Sequence, residues 1–297
     1  MTTQIPFAFV DVFAREPLSG NPLALIPEAD GLEVAQMRAI AREFNQSETT
    51  FLVSPTMPTA QWQLRSFTPD GTEVLGAGHN AMGAWIWLAI TGCLPVGTKD
   101  FTQQIGDELL PVHVSRDDGG RYTVTMVQPP PEFGKVVPDR RALARSLGLE
   151  EVDLDSDRPA QVVSTGAGHL LVPVRNRRIV DRVVPDSALL LAELRNAGGE
   201  GCYVYSRDPI DADGGSVAYA RFFNPTVGIA EDPATGTAAG PLVAALVRAG
   251  EIDQDVEATV EQGDRLGRPS RLRVTVTGPQ VSLSGSGLFV ADGVLHL

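Results

Sequence analysis

One stretch of this chain occurs twice, and that repetition constrains the fold more than any other feature. The segment Arg65-Ser-Phe-Thr-Pro-Asp-Gly-Thr-Glu-Val-Leu-Gly-Ala-Gly-His-Asn-Ala-Met-Gly83 has a counterpart in Arg221-Phe-Phe-Asn-Pro-Thr-Val-Gly-Ile-Ala-Glu-Asp-Pro-Ala-Thr-Gly-Thr-Ala-Ala-Gly-Pro-Leu242. Arg65, Phe67 and Pro69 fall on Arg221, Phe223 and Pro225 at an offset of 156. Glu73, Gly78 and Ala81 fall on Glu231, Gly236 and Ala239 at an offset of 158, so two residues are inserted between the blocks. That offset is about half of the 297 residues, which is room for two similar units, each with its own core.

In both copies a polar loop bearing Gly and Pro leads into a Gly and then an apolar run of helix formers. The pattern is a loop feeding a helix N-terminus, where unpaired N–H groups and a partial positive charge can hold an anion. Two facing copies would make one site. The bland alternative is a capped helix start in each half, and the in-register glutamates argue for more than that.

The flanking sequence follows the same order on both sides. Phe7–Val12 and Leu23–Ile26 look like adjacent strands across the turn cluster Leu18-Ser-Gly-Asn-Pro22. Asp30 with Glu33 is a capping-box pattern, followed at helical spacing by Val34, Met37, Ile40, Ala41 and Phe44. Asn45-Gln-Ser-Glu-Thr-Thr-Phe-Leu-Val53 then switches to a strand pattern, with Glu48 at the junction. Further strands are expected at 61–67, 99–104, 109–115 and 121–127, and a helix at 80–91. Gln128-Pro-Pro-Pro131 stiffens the chain as a connection between units.

The second half gives helices at 139–149, 185–197 and 238–249, with strands at 161–164, 169–174, 203–206, 217–223, 256–261 and 271–276. Two closing strands, 281–284 and 288–290, complete it. The fold class is α+β: two copies of a mostly antiparallel unit, each wrapped on an apolar helix.

Charge and cysteine usage exclude several functions. With 24 Lys+Arg against 37 Asp+Glu, a net charge of −13 and no basic run, nucleic acid and anionic membranes are poor partners. The apolar run Ala81–Ile90 is half of a membrane span and is expected as a buried helix. No secretory signal is visible, and the two cysteines, Cys93 and Cys202, have no metal or redox spacing, so a cytoplasmic location is expected.

Several chemistry-bearing patterns are weak. Gly76-Ala-Gly-His-Asn-Ala81 fits the looser dinucleotide fingerprint, but turn chemistry rather than a buried strand precedes it. Ser47, His79 and Asp232 supply the residue types of a hydrolase triad, yet no G-x-S-x-G elbow occurs. Four histidines without i, i+4 or C-x-x-C partners argue against a metal site. Glu48 is the sharper candidate. A carboxyl group in a seam of apolar and hydroxyl residues is a place where desolvation raises the pKa toward the range a general acid/base needs. The alternative for Glu48 is a solvated strand-edge residue; for His79, a helix cap; for Glu231 and Asp232, a solvated loop.

These residues make the chain resemble the PhzF family of phenazine biosynthesis, related in fold to diaminopimelate epimerase. The likeness runs through Phe9-Val-Asp-Val-Phe13, Leu18-Ser-Gly-Asn-Pro22, Met37 to Phe51 with its Asn-Gln-Ser-Glu-Thr, Gly78-His79, Glu231-Asp-Pro-Ala-Thr-Gly-Thr-Ala-Ala-Gly-Pro-Leu242 and Gln262-Gly263. The resemblance implies two diaminopimelate-epimerase-like domains, 1–128 completed by about 286–297, and 129–285. Each is a mostly antiparallel β-barrel around a central α-helix, with the active site in the cleft between them. It also implies a homodimer that needs no cofactor.

By the same resemblance, Glu48 matches the proton-shuttling glutamate, and His79 and Asp232 match the other catalytic polar residues. Ser47, Gly78, Gly236 and Thr237 match substrate-binding positions. The epimerase branch carries two catalytic cysteines where this chain has Ala77 and Thr235, which speaks against racemisation by a thiol pair. Position 80 is Asn where relatives often have Pro or Ala. The implied activity is cofactor-independent proton transfer on a small cyclic amino acid such as trans-2,3-dihydro-3-hydroxyanthranilate, a small-molecule carboxylate. A hydrolase or hydratase on the same scaffold, and a non-catalytic small-acid binder, are the alternatives.

Overall fold

In the computed structural model, which describes residues 4–297, the first unit ends at Val127 and takes in Ser284–Leu297, while Gln128–Leu283 form the second.

The first unit is a closed barrel. Its strands are β1 (Gln4–Val12), β2 (Asn21–Ile26), β3 (Thr49–Val53), β4 (Trp62–Phe67), the short β5 (Glu73–Val74), β6 (Asp100–Ile105), β7 (Glu108–Arg116) and β8 (Tyr122–Gln128). β1 pairs antiparallel with β2, which runs parallel to β3. β3 is antiparallel to β4, and β4 lies parallel to β6. β6, β7 and β8 form a meander. The closing half of the last strand, Gln280–His296, lies between β8 and β1 and seals an eight-strand ring. A ring leaves no exposed sheet edge.

Two parallel pairs require crossovers, and helices supply them. α1 (Val34–Phe44) carries the chain from β2 to β3 and packs Met37, Ile40 and Ala41 into a cluster with Ile26, Phe51 and Phe67. α2 (His79–Ile90) carries it from β4 to β6 and is the barrel's centre, with ten of its twelve residues buried. Such a helix is apolar all round because every face meets the barrel wall. Gly83 is needed for that fit: a Cβ there would lie 2.6 Å from a Leu23 methyl and 2.8 Å from Val12.

The second unit repeats the pairing order. β9 (Glu132–Val136) pairs with β10 (Gln161–Ser164), which is antiparallel to β11 (Gly168–Pro173). β11 is parallel to β12 (Gly201–Ser206), and β12 is antiparallel to β13 (Ser216–Asn224). The short β14 (Ile229–Asp232) folds back on β13 as β5 does on β4. β13 is parallel to β15 (Ala258–Gln262), which pairs with β16 (Ser270–Thr277), and β16 leads into β17 (Gln280–His296).

Its helices are α3 (Arg140–Ser146), α4 (Arg177–Arg182), α5 (Ser187–Ala197) and α6 (Gly236–Arg248). α6 takes the place of α2, with nine of its thirteen residues buried. The order antiparallel, parallel, antiparallel, parallel, antiparallel is thus common to both units, which are diaminopimelate-epimerase-like.

Several expectations are corrected. Glu33, not Asp30, precedes the first turn of α1; Gln36 Oε1 accepts the Glu33 N–H at 2.9 Å. Asp30 instead accepts from the Ser54 N–H at 2.6 Å and its hydroxyl at 2.7 Å. The chain after Gln128-Pro-Pro-Pro131 becomes strand β9, and α4 was not foreseen. The two expected closing strands are one, Gln280–His296. Glycine at 285 and 287 suggests a break in sequence, but here it admits neighbours: a Cβ at Gly285 would lie 2.3 Å from Met82 Sδ, and one at Gly287 would lie 2.4 Å from the Asp11 carbonyl.

Candidate active site

In the first unit the site is built where α1 ends and α2 begins. Asn45 closes α1 in the left-handed region at φ 51°, its N–H bonded to the Ala41 carbonyl, a conformation asparagine tolerates. Four residues later the chain enters β3, so Ser47 and Glu48 lie on the connecting turn. Glu48 Oε2 lies 3.2 Å from His79 Nε2, the first residue of α2, and the side chains are 18% and 8% exposed. Burial pushes the Glu48 carboxyl up to about 7. At neutral pH both of its protonation states are therefore populated, as a group that takes and returns a proton requires.

The start of α2 differs from what its sequence suggests. Gly78 is the N-cap, and its N–H donates to Asn80 Oδ1 at 2.7 Å. The Asn80 amide also donates to the Gly76 carbonyl at 3.0 Å and to Ser66 Oγ at 3.1 Å, and Ser66 bonds Thr50 at 2.9 Å. The Gly78 amide, expected as a donor to an anion, is thus engaged within the chain by the residue at position 80.

The second unit places Asp232 at the end of β14, buried at 6%. Its Oδ2 accepts from the Thr235 hydroxyl at 2.5 Å. Gln262 Nε2 donates to the Asp232 carbonyl at 2.7 Å and to Thr235 Oγ1 at 3.1 Å, while Gln262 Oε1 accepts from the Thr235 N–H and the Tyr203 hydroxyl. Burial, and then the Asp232 charge, raise the Tyr203 phenol, which stays protonated and donates. Asp232 is therefore held in a fixed network. Gly263, at φ +84°, lets this turn pass close to the Pro233 carbonyl, which a Cβ would approach to 2.5 Å. Gly236 opens α6, its carbonyl accepting from Gln128 Nε2 at 3.0 Å. Thr237 Oγ1 lies 3.1 Å from His169 Nε2.

The duplicated arginines and glutamates form the same device in each unit. Arg65 holds Glu73 through two bonds of 2.7 and 2.8 Å and lies over Phe67; Arg221 holds Glu231 through two of 2.8 and 2.7 Å and lies over Phe223. Each fork pins the short strand before a central helix to the long strand beside it. Glu231 and Asp232 are therefore not a solvated loop.

Sequence reasoning left Gln262, Tyr203, Thr235 and His169 without roles. The sequence had marked Gln262 only beside Gly263 in the resemblance, and Thr235 only as standing where the epimerase branch has a cysteine. No group of three or more metal-ligating side chains occurs among the described residues. No helix among them is long and apolar enough to cross a membrane.

Two barrels, each wound on a helix whose start carries polar groups, define the diaminopimelate-epimerase-like class. The chain matches the PhzC-PhzF family model, phenazine biosynthesis-like protein, over residues 10–293, and it belongs to that family. It is 34% identical to an uncharacterized isomerase of Mesorhizobium japonicum, over 98% of each chain. It is 31% identical to the trans-2,3-dihydro-3-hydroxyanthranilate isomerase of Pseudomonas chlororaphis, over 98% of this chain and 99% of that one. A PhzF-family phenazine biosynthesis protein of Bacillus anthracis superposes with a TM-score of 0.89 at 28% identity, covering 99% of this chain and all of that one. The chain is a PhzF-family isomerase.

Proposed function

We propose that this isomerase moves a proton between two carbons of a small cyclic amino acid, without a cofactor, and that trans-2,3-dihydro-3-hydroxyanthranilate or a close analogue is its substrate. The observation that carries the reading is the Glu48 carboxyl beside His79, raised by burial to about 7. In this scheme the Glu48 carboxylate takes the proton from C3, the electron pair of that C–H bond enters the ring's conjugated system, and the resulting carboxylic acid returns the proton at C1. Atoms and electrons balance without oxidant or reductant. Asp232 orients the amino group, and the start of α6, with Gly236 and Thr237, binds the carboxylate. The relatives named as this isomerase support the substrate class, and Ala77 and Thr235 remove the thiol alternative. The functional molecule is proposed to be a homodimer acting in secondary metabolism.

The test is Glu48→Gln assayed on trans-2,3-dihydro-3-hydroxyanthranilate. Turnover should fall by about 10²–10⁴, the worth of a positioned proton carrier, while benzoate still binds. Near-normal turnover by folded Glu48→Gln protein rejects the assignment of Glu48, and a wild-type enzyme inert toward this compound rejects the substrate.

A further inference from the structure

His169 is buried at 3% and absent from the chemistry described so far. It stands on β11 directly opposite Gly201 of β12. Its ring meets the edge of Phe222 at 4.9 Å and 84°, and its Nε2 lies 3.1 Å from Thr237 Oγ1. Nδ1 is buried and has no hydrogen-bond partner. The Gly201 backbone closes that side, since even a Cβ there would come within 3.2 Å of Nδ1.

The missing partner settles the tautomer. A neutral imidazole carries one N–H, and a buried N–H without an acceptor costs more than a buried lone pair without a donor. With Nδ1 unpartnered, the proton belongs on Nε2, and the bond runs from Nε2–H to Thr237 Oγ1. Burial lowers the His169 pKa to about 4, so the ring is neutral wherever the enzyme works near neutral pH.

That direction decides what Thr237 can do. Its oxygen accepts from the ring, so its own hydrogen is left to donate elsewhere. Thr237 is half-buried, while the other residues from Asp232 to Gly240 are buried, so it is the residue of the α6 start that is partly open to solvent.

We propose that His169 is a positioning residue, whose Nε2–H fixes the Thr237 hydroxyl as a hydrogen-bond donor to the carboxylate of the substrate. The inference rests on the assignment of Thr237 to substrate binding. The opposite tautomer would make Thr237 donate to the ring and present only lone pairs to an anion, which would repel it.

Two measurements test this on the whole chain. The first needs no substrate: two-dimensional 15N–1H spectra of the histidine rings should show His169 protonated on Nε2 and not on Nδ1 near neutral pH. An Nδ1–H ring overturns the proposal whatever the enzyme's reaction proves to be. The second uses benzoate as the probe. His169→Phe should weaken its binding roughly tenfold, the worth of one hydrogen bond to a charged group. His169→Gln, whose amide keeps a donor near the Nε2 position, should restore most of it.

In a Thr237→Val background, His169→Phe should have no further effect on benzoate. A tenfold loss that persists there shows that His169 acts by some route other than the Thr237 hydroxyl and refutes the inference. If His169→Phe does not fold, the ring spectra of the wild-type protein still decide.

Discussion

Replacing Glu48 by Gln should cost activity and raise stability, and the second effect tests the site's electrostatics independently of any substrate. The wild-type carboxyl titrates at about 7 in the folded protein, against 4.5 when unperturbed. Below about pH 4.5 it is protonated in both states and is as favourable to folding as it can be. As pH rises, the unfolded chain ionises first while the folded chain keeps the proton, so stability falls. Above pH 7 both states are ionised and the loss is complete, amounting to about 3 kcal/mol for this one group.

Glutamine has the shape of the protonated acid and does not titrate. Glu48→Gln should therefore match the wild type near pH 4 and exceed it by up to about 3 kcal/mol near pH 8, or roughly 6–12 °C in the melting temperature of a domain this size. Urea unfolding of both proteins at three pH values gives the difference directly, and the other titrating groups cancel. A difference that does not change with pH would refute the argument, because it would mean the carboxyl is ionised at its ordinary pKa. A wild type more stable than the variant at high pH would show instead that a charged partner, His79 being the candidate at 3.2 Å, compensates the buried carboxylate. The stability gained with activity lost is the trade expected where a site holds a group in an unfavourable environment for chemistry.

The two arginine forks should not be equivalent. Arg221 and Glu231 are 7% and 13% exposed, and Arg221 also donates to the Val180 and Val183 carbonyls, so Arg221→Met should cost about 3–5 kcal/mol by leaving a buried carboxylate unpaired. Arg65 and Glu73 are 25% and 30% exposed, and Arg65→Met should cost about 1 kcal/mol or less; equal losses in urea unfolding would defeat the comparison. Alkylation should spare activity: Cys93 is exposed and should take iodoacetamide, whereas Cys202 is buried with its thiol pKa pushed up by desolvation. Substrate-protected inactivation by one equivalent would instead point to a catalytic thiol.

How much of this was readable in the chain depends on how far apart the interacting residues are. The repeat at 156–158 residues announced two like units, because similar stretches in similar order fold alike, and the structure returns the same strand pairings in each. The central helices were legible because a run such as Ala81–Ile90, apolar on every face, has nowhere to go but inside a barrel. Glu48 was legible as a junction residue, because a helical period of 3.6 gives way there to a strand period of two.

What the tertiary structure alone decided are bonds between distant residues. Asp30 is drawn from its expected capping role by Ser54, across 24 positions. The segments at Glu73 and Ile229 read as loops until β4 and β13 supply a ladder for them. Gly285 and Gly287 look like a strand break until Met82, Phe13 and Asp11 fill the space beside them. Asp232 is fixed by Gln262, and Thr237 by His169, across 30 and 68 positions. Local propensity carries no term for such partners, since they become neighbours only when the barrels close. The sequence by itself therefore determined the plan of the fold and the kinds of groups at the helix starts, and the tertiary structure decided which distant partners tie those groups down.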